Sequence, residues 1–155
     1  MMDIHAFTAV SPIFNREIIT DVLVAVTTQQ KDISKFKKVR ALWDTGATNS
    51  VITPHVINDL KMKPNGVTEV LHAGGADLVN TYLIDIALPN KIIIPAIRAS
   101  ECAEPKSSRF DIIIGMDIIS CGDFSITGSG IKRMVSFCIP SSFYIDYTKI
   151  PNAGK

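Results

Sequence analysis

Among the 15 acidic residues of this 155-residue chain, Asp44 stands in the setting best suited to acid–base chemistry. It closes the apolar run Ala41-Leu42-Trp43 and is followed at once by Thr45-Gly46-Ala47. An aspartate at a strand end, with Thr-Gly behind it, can sit on a tight turn that fixes the backbone and aims the carboxylate into a cleft. As a bare tripeptide, Asp-Thr-Gly equally describes an ordinary turn, so its surroundings decide between the two. Other chemistries are poorly served. His5, His55 and His72 are too scattered for a metal site or a proton relay, and Cys102, Cys121 and Cys138 lack the paired spacings that metal ligation needs. No serine or cysteine has a nucleophile's setting, and Gly128-Ser129-Gly130 follows a strand end and reads as a turn. Neither a metal nor a cofactor is expected. Asp117 falls in the first turn of an expected helix, where capping explains it, and Asp111 and Asp123 read as turn or strand-end residues.

The chain that must position Asp44 is 46% hydrophobic and 20% charged, which provides apolar surface for one core, and a single domain over residues 1–155 is expected. Ile, Val, Leu and Phe carry most of that hydrophobicity, and β-branched side chains fit a pleated sheet, so the fold class is mainly β. A net charge of +1 leaves no field to hold a phosphate backbone or an anionic lipid surface. The basic cluster Lys35, Lys37, Lys38 and Arg40 reads as a solvated turn. Asp3, His5, Arg16 and Glu17 interrupt the first residues, so neither a signal peptide nor a membrane span is expected, and reduced thiols point to a cytoplasmic setting.

Along the chain, Ile18 to Thr28 and Val39 to Trp43 read as strands flanking a polar turn. The second delivers the backbone into the Asp44 turn, and Val51-Ile52 leads out of it. Thr53-Pro54 has the form of a helix start, with two short turns through Leu60. Val67 to Leu71 and Leu78 to Leu88 form a hairpin whose tip is Ala73-Gly74-Gly75-Ala76, and Ile92 to Ile97 is a further strand. Ser100 to Ser108 is polar and should be loop. The continuous apolar run Phe110 to Gly115 suits a strand buried on both faces, and Met116 to Ser120 continues as a short helix. Ser125 to Thr127, Arg133 to Ile139 and Phe143 to Tyr147 supply closing strands. Alternation turns Trp43 away from Asp44, into the core or onto the outer face.

Three of these features fall in a meaningful order. Ala41-Leu42-Trp43-Asp44-Thr45-Gly46-Ala47-Thr48-Asn49-Ser50-Val51-Ile52 resembles the apolar-apolar-Asp-Thr-Gly-Ala/Ser signature of retropepsin-like aspartic proteases. Ala73-Gly74-Gly75 sits where their flap hairpin would be. Ile113-Ile114-Gly115-Met116-Asp117-Ile118-Ile119 is similar to the apolar-apolar-Gly run that threads behind the catalytic loop, and is nearest to the bacterial and phage-type members. The resemblance covers about residues 20 to 127. It implies a closed β-barrel with a flap hairpin and one short C-terminal helix.

It also implies roles. Asp44 would be the catalytic carboxylate, Thr45 would hydrogen-bond across a dimer axis, and Gly46 would let backbone approach the carboxylates. Ala47 and the flap residues Ala73, Gly74, Gly75 and Ala76 would bind an extended peptide substrate through main-chain hydrogen bonds. No second Asp-Thr/Ser-Gly is present, so the implied enzyme is a homodimer with one aspartate per chain. Two readings compete with the peptidase: a non-catalytic module of the same fold that dimerises or binds peptides, and an unrelated small β-barrel.

The chain also departs from the family pattern. About twenty residues precede the first expected strand and nearly thirty follow Thr127. Viral members interleave their termini at the dimer interface, and Val135 to Ile139 or Phe143 to Tyr147 is expected to contribute here. Ala47 stands where many relatives have serine, which removes a hydroxyl that would stabilise the ionised aspartate.

Overall fold

The computed structural model describes residues 3–11, 16–28, 32–72, 74–102, 109–128 and 132–149, and it is mainly β. The strands are β1 (His5–Ser11), β2 (Ile19–Val26), β3 (Lys37–Trp43), β4 (Val51–Ile52), β5 (Gly66–His72), β6 (Gly75–Ala87), β7 (Ile93–Glu101), β8 (Ile112–Ile114), β9 (Asp123–Thr127) and β10 (Arg133–Ile139). Two short helices, α1 (Pro54–Asp59) and α2 (Met116–Ile119), follow β4 and β8.

The larger sheet runs β2-β3-β8-β4-β7-β6-β5, and β2 also pairs with β6, so six of its strands are joined in a ring. β8 lies between β3 and β4, parallel to the first and antiparallel to the second. The smaller sheet is β1-β10-β9, antiparallel throughout. Strand alternation sorts the side chains: Val22 and Val24 from β2, Val39, Ala41 and Trp43 from β3, and Ile112 and Ile114 from β8 are buried. A fully buried Val or Ile contributes about 1.5–3 kcal/mol relative to exposure, so this one cluster dominates stability.

Trp43 joins the two sheets. Its ring stacks on Phe124 at 5.5 Å and tilts against Phe137 at 5.2 Å and Phe7 at 5.7 Å, while its Nε1 donates to Thr20 Oγ1 at 2.9 Å. The residue before Asp44 is therefore locked on every side, as a buried indole with a satisfied N–H should be. The basic cluster disperses into separate ion pairs: Lys37 with Asp59, Lys38 with Asp21 at 2.7 Å, and Arg40 with Asp111 at 3.6 Å.

The helix expected from Thr53-Pro54 forms as α1, with Pro54 in its first turn and Val56 and Ile57 buried, but three other expectations need correction. Phe143 to Tyr147 is not a strand: the Asp123 carboxylate takes the N–H groups of Ser142 and Phe143 at 2.7 Å each, and the chain then enters a 3-10 turn at Tyr147–Lys149. β1 was not foreseen, and β7 extends to Glu101 through residues expected to be loop. The rest of that expected loop, residues 103–108, and Ser129-Gly130 lie outside the described residues.

Candidate active site

Residues 44–50 connect β3 to β4, the two neighbours of β8, so the Asp44 loop must pass over the end of β8. The chain leaving β8 as Gly115 and α2 runs directly against that loop. Asp44 N donates to Ile114 O at 3.0 Å, Met116 N to Ala47 O at 2.8 Å and Asp117 N to Thr48 O at 3.2 Å. The crossing is tight enough to require glycine. A Cβ on Gly115 would lie 2.6 Å from the Asn49 carbonyl carbon and 2.9 Å from Ala47 O, both immovable backbone.

Side chains add a second layer. The Asp117 carboxylate accepts from Ser50 N at 2.9 Å and Ser50 Oγ at 2.8 Å, and also from Ile118 N at 3.0 Å. Ser50 Oγ in turn accepts from Gly115 N at 3.2 Å, and Ser50 is 1% exposed. The expectation that Asp117 merely caps its helix is thus too narrow, since Gly115 holds the N-cap position and Asp117 bonds across to the loop. Ser50 itself escaped the sequence reading. Its only signal was a hydroxyl seven residues past Trp43, flanked by Asn49 and Val51 as the chain turns apolar.

Asp44 is half-buried, and its Oδ1 accepts from Gly46 N at 2.8 Å. This short turn holds the carboxylate in one orientation. A Cβ at position 46 would stand 3.1 Å from the same oxygen, so glycine keeps that approach open. Among the described residues, the other carboxylate oxygen has no hydrogen-bond partner. Thr45 and Gly46 are exposed beside it, and Ala47 is half-buried. One chain therefore presents a half-buried aspartate held in one orientation, with its second carboxylate oxygen open.

The second group of expected site residues belongs to a different element, the β5–β6 hairpin. Its strands pair from Gly66 with Thr81 to His72 with Gly75. Gly74, Gly75 and Ala76 are exposed at the tip, and Ala73 lies outside the described residues. Gly75 has φ +134°, a conformation that side chains resist, and open space where its Cβ would be. Thr68, Val70 and Val79 are half-buried on one face of the hairpin, whereas Val67, Leu71 and Leu78 are exposed on the other.

Asp111 and Asp123 serve the framework, as expected. The Asp111 carboxylate accepts from Arg40 N at 2.7 Å, and its carbonyl takes the Thr53 hydroxyl at 2.8 Å, so Thr53 starts α1 without using that hydroxyl as the cap. Hydrogen bonds from the Ser141 hydroxyl and the Ser142 and Phe143 N–H groups draw the Asp123 carboxyl down to about 2. Burial raises the Cys102 and Cys138 thiols above their ordinary range, and Cys121 is exposed. Among the described residues no group of His, Cys, Asp and Glu is placed to hold a metal ion, and no helix is long and apolar enough to cross a membrane.

No family model matches the sequence, and no curated protein does. Solved structures do match. The chain is similar to a retropepsin-like aspartic protease from Rickettsia conorii, with a TM-score of 0.55, 12% identity, and coverage of 88% of this chain and 96% of the other. It is also similar to the EIAV protease complexed with the inhibitor HBY-793, with a TM-score of 0.52, 23% identity, and coverage of 69% and 88%. Overlap with the bacterial structure is wider, and identity with the viral one is higher. At these identities the likeness establishes the fold, which is retropepsin-like.

Proposed function

We propose that the chain is an aspartic endopeptidase whose working form is a homodimer, with one Asp44 from each copy facing the other. The observation that carries this reading is the rigid Asp44 loop: a half-buried carboxylate with one oxygen bonded to Gly46 N and the other open, on a retropepsin-like fold.

Two carboxylates a few ångströms apart resist double ionisation, so the pair holds one proton between them. The ionised member takes a proton from a water held between the two. The protonated member hydrogen-bonds the peptide carbonyl, which polarises it for attack. The tetrahedral intermediate then collapses as the leaving amine is protonated. Thr45, exposed beside Asp44, would bond across the twofold axis, and Gly46 would leave room for the facing loop.

The substrate would be an extended peptide, bordered by Ala47 on the floor and by Ala73, Gly74, Gly75 and Ala76 in the hairpin tip. The ring of strand pairings is read as a closed barrel, and residues 1–155 as one domain. Free thiols at Cys102, Cys121 and Cys138 support a reducing, cytoplasmic setting.

Digestion of a peptide library by the wild type and by Asp44→Asn tests the proposal. Cleavage by the wild type, abolished in a folded and still dimeric Asp44→Asn, is the expected result. Peptide binding without cleavage by either protein would replace the enzyme with a binding module of the same fold.

A further inference from the structure

If the site needs two copies, some surface must join them, and the strand pairings restrict which one. Resting on the paired-aspartate reading, we infer that the second copy docks on the free edge of β9, with the segment Phe143–Tyr147 completing the contact. Of the two segments expected to contribute, Val135 to Ile139 is the less available. β10, which contains Val135 to Ile139, is bonded on one side to β1 and on the other to β9, so it has no edge to offer. Among the described residues, the unpaired edges of the small sheet are the outer sides of β1 and β9.

Three observations favour β9. Its Phe124 stacks on Trp43, the residue before Asp44, at 5.5 Å, and three residues join it to α2, whose Asp117 grips the Asp44 loop, so β9 lies beside the base of that loop. β1 also reaches Trp43, through Phe7 at 5.7 Å, but its outer edge is two strand spacings from β9, about 10 Å. Second, the β9 sequence Asp-Phe-Ser-Ile-Thr is compatible with antiparallel pairing to itself. Centred on Ser125, it sets Phe124 against Ile126 and Asp123 against Thr127, opposing neither like charges nor apolar against polar groups. It contains no proline or lysine of the kind that guards an exposed edge.

Third, an exposed apolar segment is tethered to the same strand. Asp123 Oδ2 accepts from Ser142 N and Phe143 N, and Ser141 N donates to Cys121 O at 3.3 Å. Beyond that anchor Phe143 is 62%, Tyr144 90% and Ile145 59% exposed. Phe143, Ile145 and Tyr147 line a cavity of about 630 Å³ together with residues of β9, β10 and β1. A five-residue strand pair is too small to hold two proteins together, since stable interfaces bury about 1,200–2,000 Å². Large side chains of this kind bury about 150–250 Å² each, so the tethered segments of two copies bring the total into that range.

Sedimentation velocity and hydrogen exchange, both measured across chain concentration, test the inference. Tyr144→Asp and Ile126→Lys alter side chains that are largely solvated in one chain and should each raise the dimer Kd tenfold or more. Val10→Asp, at the exposed face of β1, should leave it unchanged. Amides of residues 123–127 should gain protection as the dimer forms, and those of 5–11 should not. Should the wild type dimerise and cleave while protection appears on β1, or while Val10→Asp is the disruptive variant, the β9 interface is wrong and the enzyme reading stands. A chain that stays monomeric at every concentration overturns the interface, and if it also cleaves peptides, the paired-carboxylate reading falls with it.

Discussion

Asp44 depends on two neighbours whose side chains are small or absent. At position 47 the methyl group of alanine offers nothing to the ionised carboxylate, where a serine hydroxyl would donate a hydrogen bond to it. Ala47→Ser should therefore move the acid limb of the kcat/KM profile toward lower pH. A profile that stays in place removes the hydroxyl as the explanation. At position 115 the constraint is steric, because a Cβ there meets Asn49 backbone at 2.6 Å and neither partner can rotate away. Gly115→Ala should cost about 3 kcal/mol in urea unfolding, with activity lost ahead of the global transition as the Asp44 loop shifts. A variant of unchanged stability would show the crossing to be looser than described. At this scale the sequence announced Asp44 through its apolar lead-in and its Thr-Gly, but it hid Ser50 and the reach of Asp117. Their bond joins residues 67 positions apart, and only the threading of β8 between β3 and β4 makes them neighbours.

Elements were legible wherever period and composition agreed. The branched run before Thr28, the glycine-tipped hairpin and the Ile-rich β8 all form the structures their patterns dictate, because local preference and burial point the same way. β1 was missed because His-Ala-Phe-Thr-Ala-Val-Ser is short, with small residues diluting its alternation, and it becomes a strand only by pairing with β10. Phe143 to Tyr147 failed in the opposite sense: its β-forming residues find no ladder because Asp123 captures the backbone donors first. That capture carries a pH dependence with a definite sign. The Asp123 carboxyl lies at about 2 in the folded chain against 3.8 for a free side chain, so its contribution is complete above about 3.8 and is lost as pH falls through about 2. The tethered segment should thus stay in place through the mildly acidic range in which a shared-proton pair works. Exchange of the Ser142 and Phe143 amides, corrected for intrinsic rates, should remain slow at pH 4 and become fast in Asp123→Asn. Equal protection in both proteins would contradict the tether.

At the scale of the whole molecule, two sheets meet at the base of the Asp44 loop. The Asp44 loop is rigid because strands flanking β8 converge on Gly115, and Trp43 fixes the small sheet to the same point. The retropepsin-like fold was legible from motif order, since Asp-Thr-Gly, a glycine-tipped hairpin and Ile-Ile-Gly occur in the sequence required to thread one behind another. Which surface could meet a second copy was not legible, because edge availability depends on strand order and not on composition. Mixing wild type with Asp44→Asn is the most direct measurement of whether two Asp44 carboxylates make one site. With chains fully paired and exchanging, a tenfold excess of the inactive variant should reduce cleavage per wild-type chain about tenfold, as wild-type pairs are diluted into mixed dimers. Cleavage that stays proportional to wild-type chains alone, however much variant is added, would contradict the account.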